Sequence, residues 1–285
     1  MNYKELLLAV RSLPKEYSFK VIGRTKFKRK IIAVERILND SFSTAIFIAG
    51  IHAREHITSD LLFEMIRRDL FSDIKDFNLS FILLANPDGA DLEQFGEKEF
   101  PFWHQKRLVK MNGGLKDFSM WKANAQGIDL NNNFDARFGT NIHSEKPASD
   151  GFVGRYANSE KETRAIVSYT KSKMPFITIS YHSKGEEIYF KFFQEGMALE
   201  RDKIIADKFA SSTGYKIKNV EDVSSGGYKD WCVDKLKIPA LTIEVGSDDL
   251  LHPIGREYLE EIFEKNKFVA SDVQFAYNVF RKYKE

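Results

Sequence analysis

The chain has 285 residues and is 43% hydrophobic, so it can bury a sizeable core, and its composition is not that of a disordered protein. Its 43 lysines and arginines nearly balance its 41 aspartates and glutamates, and the net charge of +2 argues against a nucleic-acid partner. The single cysteine, Cys232, excludes an intrachain disulfide. The sequence contains neither the roughly 18-residue apolar run of a membrane span nor the apolar stretch of a signal peptide, so a cytoplasmic protein without a membrane partner is expected.

Apolar runs that alternate with helical patterns predict an α/β fold, with one domain over residues 1–285 in which a mixed central β-sheet is flanked by helices. Five runs are predicted as strands, namely Ile31–Glu35, Thr44–Ala49, Leu79–Ala85, Phe176–His182 and Ala240–Val245. Three segments are predicted as helical, namely Ser59–Phe71, Ser159–Ser172 with a capping-box start, and Ile254–Tyr283 as one or two closing helices. Residues 88–138 show no clear period and are predicted to form a long functional loop.

The first candidate site follows the second predicted strand, where the sequence reads Gly50-Ile-His52-Ala-Arg54-Glu55-His56. Zinc accepts imidazole nitrogen and carboxylate oxygen, and a catalytic zinc usually has three protein ligands. A His-x-x-Glu turn places two such donors, His52 and Glu55, on one side of an ion. The same pattern also fits a helix start with solvated charges, so by itself it leaves both interpretations open.

Two more candidate residues end predicted strands. His182 closes the apolar run that begins at Phe176, and Glu244 closes the run that begins at Ala240. Open α/β sheets bind ligands at the carboxyl ends of their strands, and a carboxylate among apolar residues needs a partner or a function. A histidine in such a place can also be a hydrogen-bonded core residue. The coincidence of both residues with the His-x-x-Glu turn favours a metal site.

The sequence resembles the carboxypeptidase A-like zinc peptidases over most of its length, from roughly Tyr17 to Glu264. Six segments carry the resemblance by their order and spacing: Gly50-Ile-His52-Ala-Arg-Glu55-His-Ile-Thr58, Asn86-Pro-Asp-Gly89, Gly127-Ile-Asp-Leu-Asn131-Asn-Asn-Phe134, Tyr181-His182-Ser183, Ser225-Gly-Gly-Tyr-Lys-Asp-Trp231 and Thr242-Ile-Glu244. The resemblance implies a zinc carboxypeptidase-like fold and a Zn²⁺ cofactor. The metal ligands that it implies are His52, Glu55 and His182.

A second zinc pattern overlaps the first of these segments. His52-Ala-Arg54-Glu55-His56 also matches His-x-x-Glu-His, in which both histidines bind zinc and the glutamate is the base. That pattern requires a helix that already spans all five residues. Gly50 and the strand before it argue against such a helix.

Amide hydrolysis needs an activated water, a stabilised oxyanion and a proton for the leaving amine. The resemblance implies that Glu244 takes the proton of the water and delivers it to the nitrogen. It implies that Asp129 orients the imidazole of His52, and that Lys122 meets the oxyanion where better-known members have arginine. From the sequence alone, a lysine such as Lys122 is more often a solvated loop residue. The residues that the resemblance assigns to substrate binding are Arg54, Asn131, Asn132 and Lys229.

Two departures from the family pattern bear on the substrate. Typical members have Asn-Arg at the position of Asn131-Asn132, and that arginine binds a free C-terminal carboxylate through a bidentate contact that asparagine cannot reproduce. The phenolic residue of digestive members is also missing, with Asp222 near its position. The segments 182–190 and 226–231, and also Lys122, instead resemble the bacterial branch that cleaves γ-D-glutamyl–diamino acid bonds in peptidoglycan peptides.

The predicted reaction is therefore hydrolysis of the γ-D-glutamyl–diaminopimelate amide in small muropeptides. Lys229 would bind the second carboxylate of diaminopimelate, unless it is simply a surface lysine. Asn131, Asn132 and Arg137 would share recognition of the other carboxylate. Three rival functions stay open: a conventional metallocarboxypeptidase, in which Lys229 replaces the lost arginine; an amidohydrolase of acylated amino acids; and a non-enzymatic zinc-binding protein.

Three histidines are left without a role in this prediction. His104, His143 and His252 are expected to be surface or loop residues. The oligomeric state stays open.

Overall fold

One eight-stranded sheet runs through the protein, as seen in a computed structural model that describes residues 1–140, 144–218 and 225–283. The strands are β1 (Ser18–Arg24), β2 (Lys30–Arg36), β3 (Thr44–Ile48), β4 (Asn78–Ile82), β5 (Ile177–His182), β6 (Glu187–Tyr189), β7 (Lys216–Ile217) and β8 (Ala240–Glu244). They lie in the order β1-β2-β4-β3-β5-β8-β6-β7. The central strands β4, β3, β5 and β8 are mutually parallel, and antiparallel pairing joins β2 to β4 and β6 to β8.

The parallel centre of the sheet is buried on both faces. Every residue of β3, β4 and β5 is buried, which is why these strands appear in the sequence as continuous apolar runs. The phenyl ring of Phe47 on β3 stacks on that of Phe81 on β4 with centroids 4.9 Å apart. The sheet therefore forms a rigid base, and the carboxyl ends of β3, β5 and β8 lie side by side at one edge of it.

Helices pack around this sheet. In chain order they are α1 (Tyr3–Ala9), α2 (His56–Arg67), α3 (Pro87–Phe95), α4 (Phe102–Met111), α5 (Lys161–Lys173), α6 (Gly196–Thr213), α7 (Tyr228–Trp231), α8 (Leu259–Asn266) and α9 (Val269–Lys282). Helix α6 packs on α9, α2 packs on α8, and α5 packs against β1. Within the described parts of the chain, no helix combines the length and the apolar character that crossing a membrane requires.

The predicted fold class is confirmed: the structure is a mixed α/β domain with helices flanking a central sheet. All five predicted strands are present, and the closing segment forms two helices, α8 and α9. Strands β1, β6 and β7 were not predicted. β1 is mostly exposed and carries charged residues, while β6 and β7 have three and two residues, so none of them has a clear apolar pattern.

The prediction of one long loop over residues 88–138 is wrong, because α4 lies within this segment and α3 begins one residue before it and continues into it. Helix α3 is buried on nearly all sides, including its acidic residues, and therefore lacks an apolar stripe. Two of those acids, Asp88 and Asp91, pair with Arg29 at 3.0 and 2.6 Å, which compensates their burial.

Two local predictions also need correction. Ser159 does not cap α5; the N-cap is Glu160, and the Ser159 hydroxyl donates to its carboxylate at 3.0 Å. His104 is not a surface histidine, because its ring is buried on α4 with Nε2 2.7 Å from the Ala125 carbonyl. His252 does lie in a loop, between β8 and α8, and is half-buried. His143 and Asp222 lie outside the described residues.

Candidate metal centre and catalytic cleft

The candidate site lies at the carboxyl edge of the parallel strands. Strand β3 ends at Ile48, and the chain turns through Gly50 to His52 and Glu55, immediately before α2. Gly50 has φ of 61°, and a Cβ at this position would lie 2.6 Å from the Ser59 hydroxyl and 2.8 Å from a methyl carbon of Leu84. Only glycine fits this turn without strain.

Side-chain hydrogen bonds hold the turn in place. The Thr58 hydroxyl accepts from the Gly50 amide at 3.1 Å and donates to the Glu55 carbonyl at 2.8 Å. The Asn86 amide group donates to the carbonyls of Ile51 and Ala123, both at 3.1 Å. The sequence segment that begins at Asn86 therefore ties the turn to the loop that carries Lys122.

Three donor atoms converge at this edge. Nδ1 of His52 lies 2.8 Å from Oε1 of Glu55, and Nδ1 of His182 lies 3.1 Å from Oε2 of the same carboxylate. The two imidazole nitrogens are 3.2 Å apart. All three side chains are buried, and together they form a group that could hold a metal ion.

The donor set fits zinc in both chemistry and spacing. Zinc–nitrogen and zinc–oxygen bonds of about 2.0–2.1 Å in a tetrahedron separate neighbouring donors by roughly 3.3 Å. The observed separations of 2.8, 3.1 and 3.2 Å lie close to that value. One shared cation would satisfy two imidazoles and a carboxylate that otherwise face one another in a buried space.

The other ring nitrogens have partners that orient the imidazoles. Nε2 of His182 lies 3.0 Å from the Ser180 hydroxyl, and Nε2 of His52 lies 3.3 Å from Oδ1 of Asp129. The carboxylate beside Nε2 of His52 favours the tautomer that carries the proton there and leaves Nδ1 free to bind a metal, whereas the Ser180 hydroxyl can donate to or accept from His182. Asp129 is thus located where the sequence predicts a partner of His52.

Lys122 extends this chain of contacts. Its Nζ lies 3.0 Å from Oδ2 of Asp129 and 3.3 Å from Oδ1 of Asp150. The backbone carbonyl of Lys122 accepts from the Ala53 amide at 3.0 Å, which fixes the lysine beside the turn. Asp150 also lies 4.0 Å from the Arg54 guanidinium. Asp150 was not predicted, because an isolated aspartate in a loop gives no sequence signal.

The buried charges shift one another's pKa values. Burial opposes the charge on His52, but the Glu55 and Asp129 carboxylates outweigh burial and raise the pKa of His52 to about 9. Burial lowers the pKa of His182. Burial also disfavours ionised Glu55 and Asp129, yet the neighbouring cationic groups, led by His52 and Lys122, hold the pKa of both carboxyls well below the usual range.

Glu244 ends β8 directly beside His182, the candidate metal ligand that ends β5. Its Cα pairs in register with that of His182, so both side chains leave the same face of the sheet at the same edge. Burial and the Glu55 carboxylate raise the pKa of Glu244 well above its usual range. A cation held by the three donors would lower that pKa again, because positive charge favours the carboxylate.

The alternative His-x-x-Glu-His site does not form. Helix α2 starts at His56, one residue after Glu55, so the five residues do not lie on one helix. Within the described residues, the group that could hold a metal includes His182 and leaves out His56. Burial and the nearby N-terminal ammonium lower the pKa of His56 to about 4.

The predicted substrate-binding asparagines lie against a glycine-rich loop. Oδ1 of Asn131 accepts from the Tyr228 amide at 3.1 Å. A Cβ on Gly226 would lie 2.4 Å from the Asn132 carbonyl oxygen, so this close approach depends on glycine. Asn131 and Asn132 are both half-buried. Arg137, by contrast, is exposed and stacks on Phe193, with Cζ 3.5 Å from the ring centroid.

Lys229 is not a surface lysine, since only 6% of it is exposed. Its ammonium lies 2.5 Å from Oδ1 of Asp230 and donates to the Lys191 carbonyl at 2.8 Å. It also lies over the Phe192 ring, 5.5 Å from the centroid. Lys229 is therefore a buried cation with partners of its own.

Comparison with known proteins agrees with this geometry. The zinc carboxypeptidase family matches residues 4–268. The chain is 26% identical over 274 residues to gamma-D-glutamyl-L-diamino acid endopeptidase 1 of Lysinibacillus sphaericus, covering 89% of this chain and 67% of that protein. It is 28% identical over 255 residues to bovine carboxypeptidase A1, covering 81% of this chain and 57% of that protein. The chain thus spans about two thirds or less of the length of these relatives.

A solved structure of bovine thrombin-activatable fibrinolysis inhibitor, in complex with tick carboxypeptidase inhibitor, has the same fold. It superposes with a TM-score of 0.79 at 18% identity and covers 99% of this chain and 98% of that one.

Proposed function

The chain belongs to the zinc carboxypeptidase family, and we propose that this zinc metallopeptidase hydrolyses the γ-D-glutamyl–diaminopimelate amide bond of peptidoglycan-derived peptides. Two findings support this substrate. The first is the similarity to the Lysinibacillus endopeptidase over 89% of the chain. The second, which carries the proposal, is the asparagine at position 132, where the resemblance implies an arginine that binds the C-terminal carboxylate of ordinary peptides; diaminopimelate has a second carboxylate, on its side chain, that a cation elsewhere in the cleft can bind.

The reaction uses the residues at the sheet edge. His52, Glu55 and His182 would hold the zinc. When bound, zinc supplies Lewis acidity, which polarises a carbonyl and lowers the pKa of water from 15.7 to about 7. Glu244 accepts the proton of the attacking water and passes it to the leaving nitrogen, which the register of β5 and β8 permits because Glu244 lies beside His182.

Two cations near His52 are candidates to stabilise the negative charge that develops in the transition state. Lys122 and Arg54 both lie by Asp150, on the loops next to His52. A cation aimed at the oxyanion stabilises the transition state more than the ground state, and one lost donor typically costs about 10²–10³ in rate. Lys122 is the cation that the resemblance implies for this role, and its contact with Asp129 fixes its ammonium near His52.

The free α-carboxylate of a γ-linked glutamate distinguishes this substrate from an ordinary peptide. Neither Asn131 nor Asn132 can form an ion pair with a carboxylate, but both can donate from their amide groups. An acidic side chain on the leaving amine would have to share Lys229 with Asp230, because the two are already 2.5 Å apart. Recognition through Lys229 therefore requires that a ligand carboxylate compete with Asp230.

A comparison of two peptides tests the proposal. The zinc-loaded protein should cleave L-Ala-γ-D-Glu-diaminopimelate, and it should cleave the matched peptide with an α-linked L-Glu much more slowly. Glu244→Gln serves as the control, since it should retain zinc and lose cleavage. Removal of a C-terminal residue from a simple peptide, without cleavage of the γ-linked substrate, would overturn the substrate assignment.

One observation favours the second candidate, a conventional metallocarboxypeptidase. The chain is 28% identical to bovine carboxypeptidase A1 over 81% of its length. In that case Lys229 would have to supply the charge that Asn132 lacks. Lys229→Gln should then abolish cleavage of simple peptides, whereas it should only reduce affinity for a γ-linked substrate.

A further inference from the structure

A second cleft lies outside the metal centre. It has a volume of about 580 Å³ and is formed by the turn between β1 and β2, by α4, by residues 126–128 and 147–159, and by the start of α5. Among the described residues that line it there is neither a candidate metal ligand nor Glu244.

The cleft concentrates positive charge from separate parts of the chain. Five cationic side chains line it, namely Lys26, Arg107, Arg155, Lys161 and Arg164. Four of them make no hydrogen bond or ion pair within residues 1–140, 144–218 and 225–283, and Arg164 donates only to the backbone carbonyls of Asn158 and Ser159. Because these cations line one cleft, an anion bound there would interact favourably with several of them at once.

The acidic member of the cleft offsets only part of this charge, because Glu160 is the single carboxylate among the described lining residues, against five cations. Both carboxylate oxygens of Glu160 already accept hydrogen bonds, one from the Asn124 side chain at 2.9 Å and one from the Ser159 hydroxyl at 3.0 Å. Two of the cations, Lys161 and Arg164, also lie in the first turn of α5, where the helix dipole disfavours positive side chains. An anion at this helix start would interact favourably with both the dipole and the side chains.

An exposed aromatic ring lies beside these cations. Trp103 on α4 is 68% exposed, and its indole is held by neighbouring rings, with Phe27 at 6.2 Å and His104 at 5.3 Å between centroids. An exposed indole ring that lines a cleft offers a flat surface on which an aromatic ligand can stack. Tyr156, 61% exposed, also lines the cleft.

We propose that this cleft binds a nucleoside diphosphate, with the base stacked on Trp103 and the phosphates between Arg107 on α4 and the cations at the start of α5. Base–aromatic stacking and cationic contacts to phosphate are the two interactions that nucleotide recognition combines, and the cleft supplies both. The proposal does not depend on the substrate of the metal centre.

The test measures binding of ADP and UDP to the zinc-loaded chain by calorimetry and by tryptophan fluorescence. The other two tryptophans, Trp121 and Trp231, are buried, so quenching reports on Trp103. Trp103→Ala and Arg107→Gln should each weaken ADP binding by about tenfold or more. Their matched controls are Phe102→Ala and Lys110→Gln, which alter exposed neighbours on α4 that do not line the cleft and should bind ADP normally.

Three further measurements distinguish binding in this cleft from binding at the metal centre, from recognition of only one part of the nucleotide, and from binding of a nucleic acid. ADP binding should survive in His182→Ala, because nucleotide bound at the metal centre would be lost there. Inorganic pyrophosphate, adenosine and glucose 1-phosphate should each bind at least about tenfold more weakly than ADP, since each lacks one of the two interactions or stacks poorly. Equal binding of any of these, tighter binding of a single-stranded oligonucleotide, or no binding of ADP and UDP would overturn the proposal.

Discussion

The Cα atoms of His182 and Glu244 are register partners on the adjacent parallel strands β5 and β8. Adjacent strands lie about 4.8 Å apart, and residues in register point to the same face of the sheet. A candidate metal ligand and a carboxylate are therefore held as neighbours by the backbone hydrogen bonds of two central strands. Residues 62 positions apart in sequence are in this way positioned with the rigidity of a sheet, which a catalytic base needs.

Replacing Glu244 tests its role as the base. Glu244→Gln should reduce turnover by at least about 10²-fold, because the amide cannot accept the proton of the attacking water. Zinc content, measured by elemental analysis, should stay unchanged since Glu244 is not among the three donors. Glu264→Gln is the control, because Glu264 is an exposed carboxylate on α8 and is also absent from the donor group. Full turnover in Glu244→Gln would exclude this residue as the base.

Removing one of the three converging donors should lower the zinc content of the protein, and activity should fall as a consequence. His182→Ala deletes one of the three converging donors, so we expect the stoichiometric zinc of the purified protein to be lost. His56→Gln is the informative control, because this histidine belongs to the alternative His-x-x-Glu-His pattern yet lies outside the donor group. Loss of zinc in His56→Gln with retention in His182→Ala would contradict the metal centre described above.

Lys122 can act in two ways that kinetics separates. If its ammonium stabilises the oxyanion, Lys122→Gln should lower kcat by about 10²–10³-fold with zinc affinity unchanged. If it acts through its 3.0 Å contact with Asp129, the variant should weaken zinc binding, by up to about 100-fold, and recover full kcat at saturating zinc. We expect the first result, and recovery of kcat with added zinc would refute it. Asp129→Asn, which weakens the same contact, shows the loss of zinc affinity expected if Lys122 acts through Asp129.

The pH dependence of the free energy of unfolding should show the titration of the buried Glu162 carboxyl. Its carboxylate is fully buried on α5, neither oxygen accepts a hydrogen bond from another described residue, and burial together with Asp88 raises its pKa to about 8. The folded chain thus binds this proton more tightly than the unfolded chain. Its contribution to stability is complete below the ordinary pKa of 4.5 and is lost as pH rises through about 8.

Glu162→Gln removes this titration. The free energy of unfolding of the variant, relative to that of the parent protein, should rise progressively between about pH 5 and pH 8. The gain should be on the order of a few kcal/mol at pH 8. Melting curves across this range provide the measurement, and Glu16→Gln, an exposed site, provides the control. A stability difference that does not change with pH would show that Glu162 is ionised in the folded protein.

Local sequence patterns predicted most of the sheet and the residues at its edge. Continuous apolar runs such as Thr44–Ala49 identify strands buried on both faces, because such strands expose no polar side. His52, Glu55, His182 and Glu244 were found because each follows or ends such a run, and the resemblance to a known family linked them into one site. Helix α3 was not predicted, because it is buried on nearly all sides and therefore has no apolar stripe. Its acidic residues are buried too and pair with Arg29.

The sequence by itself determined the elements that depend on neighbours along the chain: apolar strands, the glycine turn at Gly50, and the donor types that zinc accepts. Only the tertiary structure decided which charges meet. It buries Lys229 against Asp230, joins Lys122 to Asp129 and Asp150, and gathers five cations from separate segments into one cleft. These contacts depend on strand order, register and burial, and the energy of a charge depends on every group packed around it rather than on its neighbours in sequence.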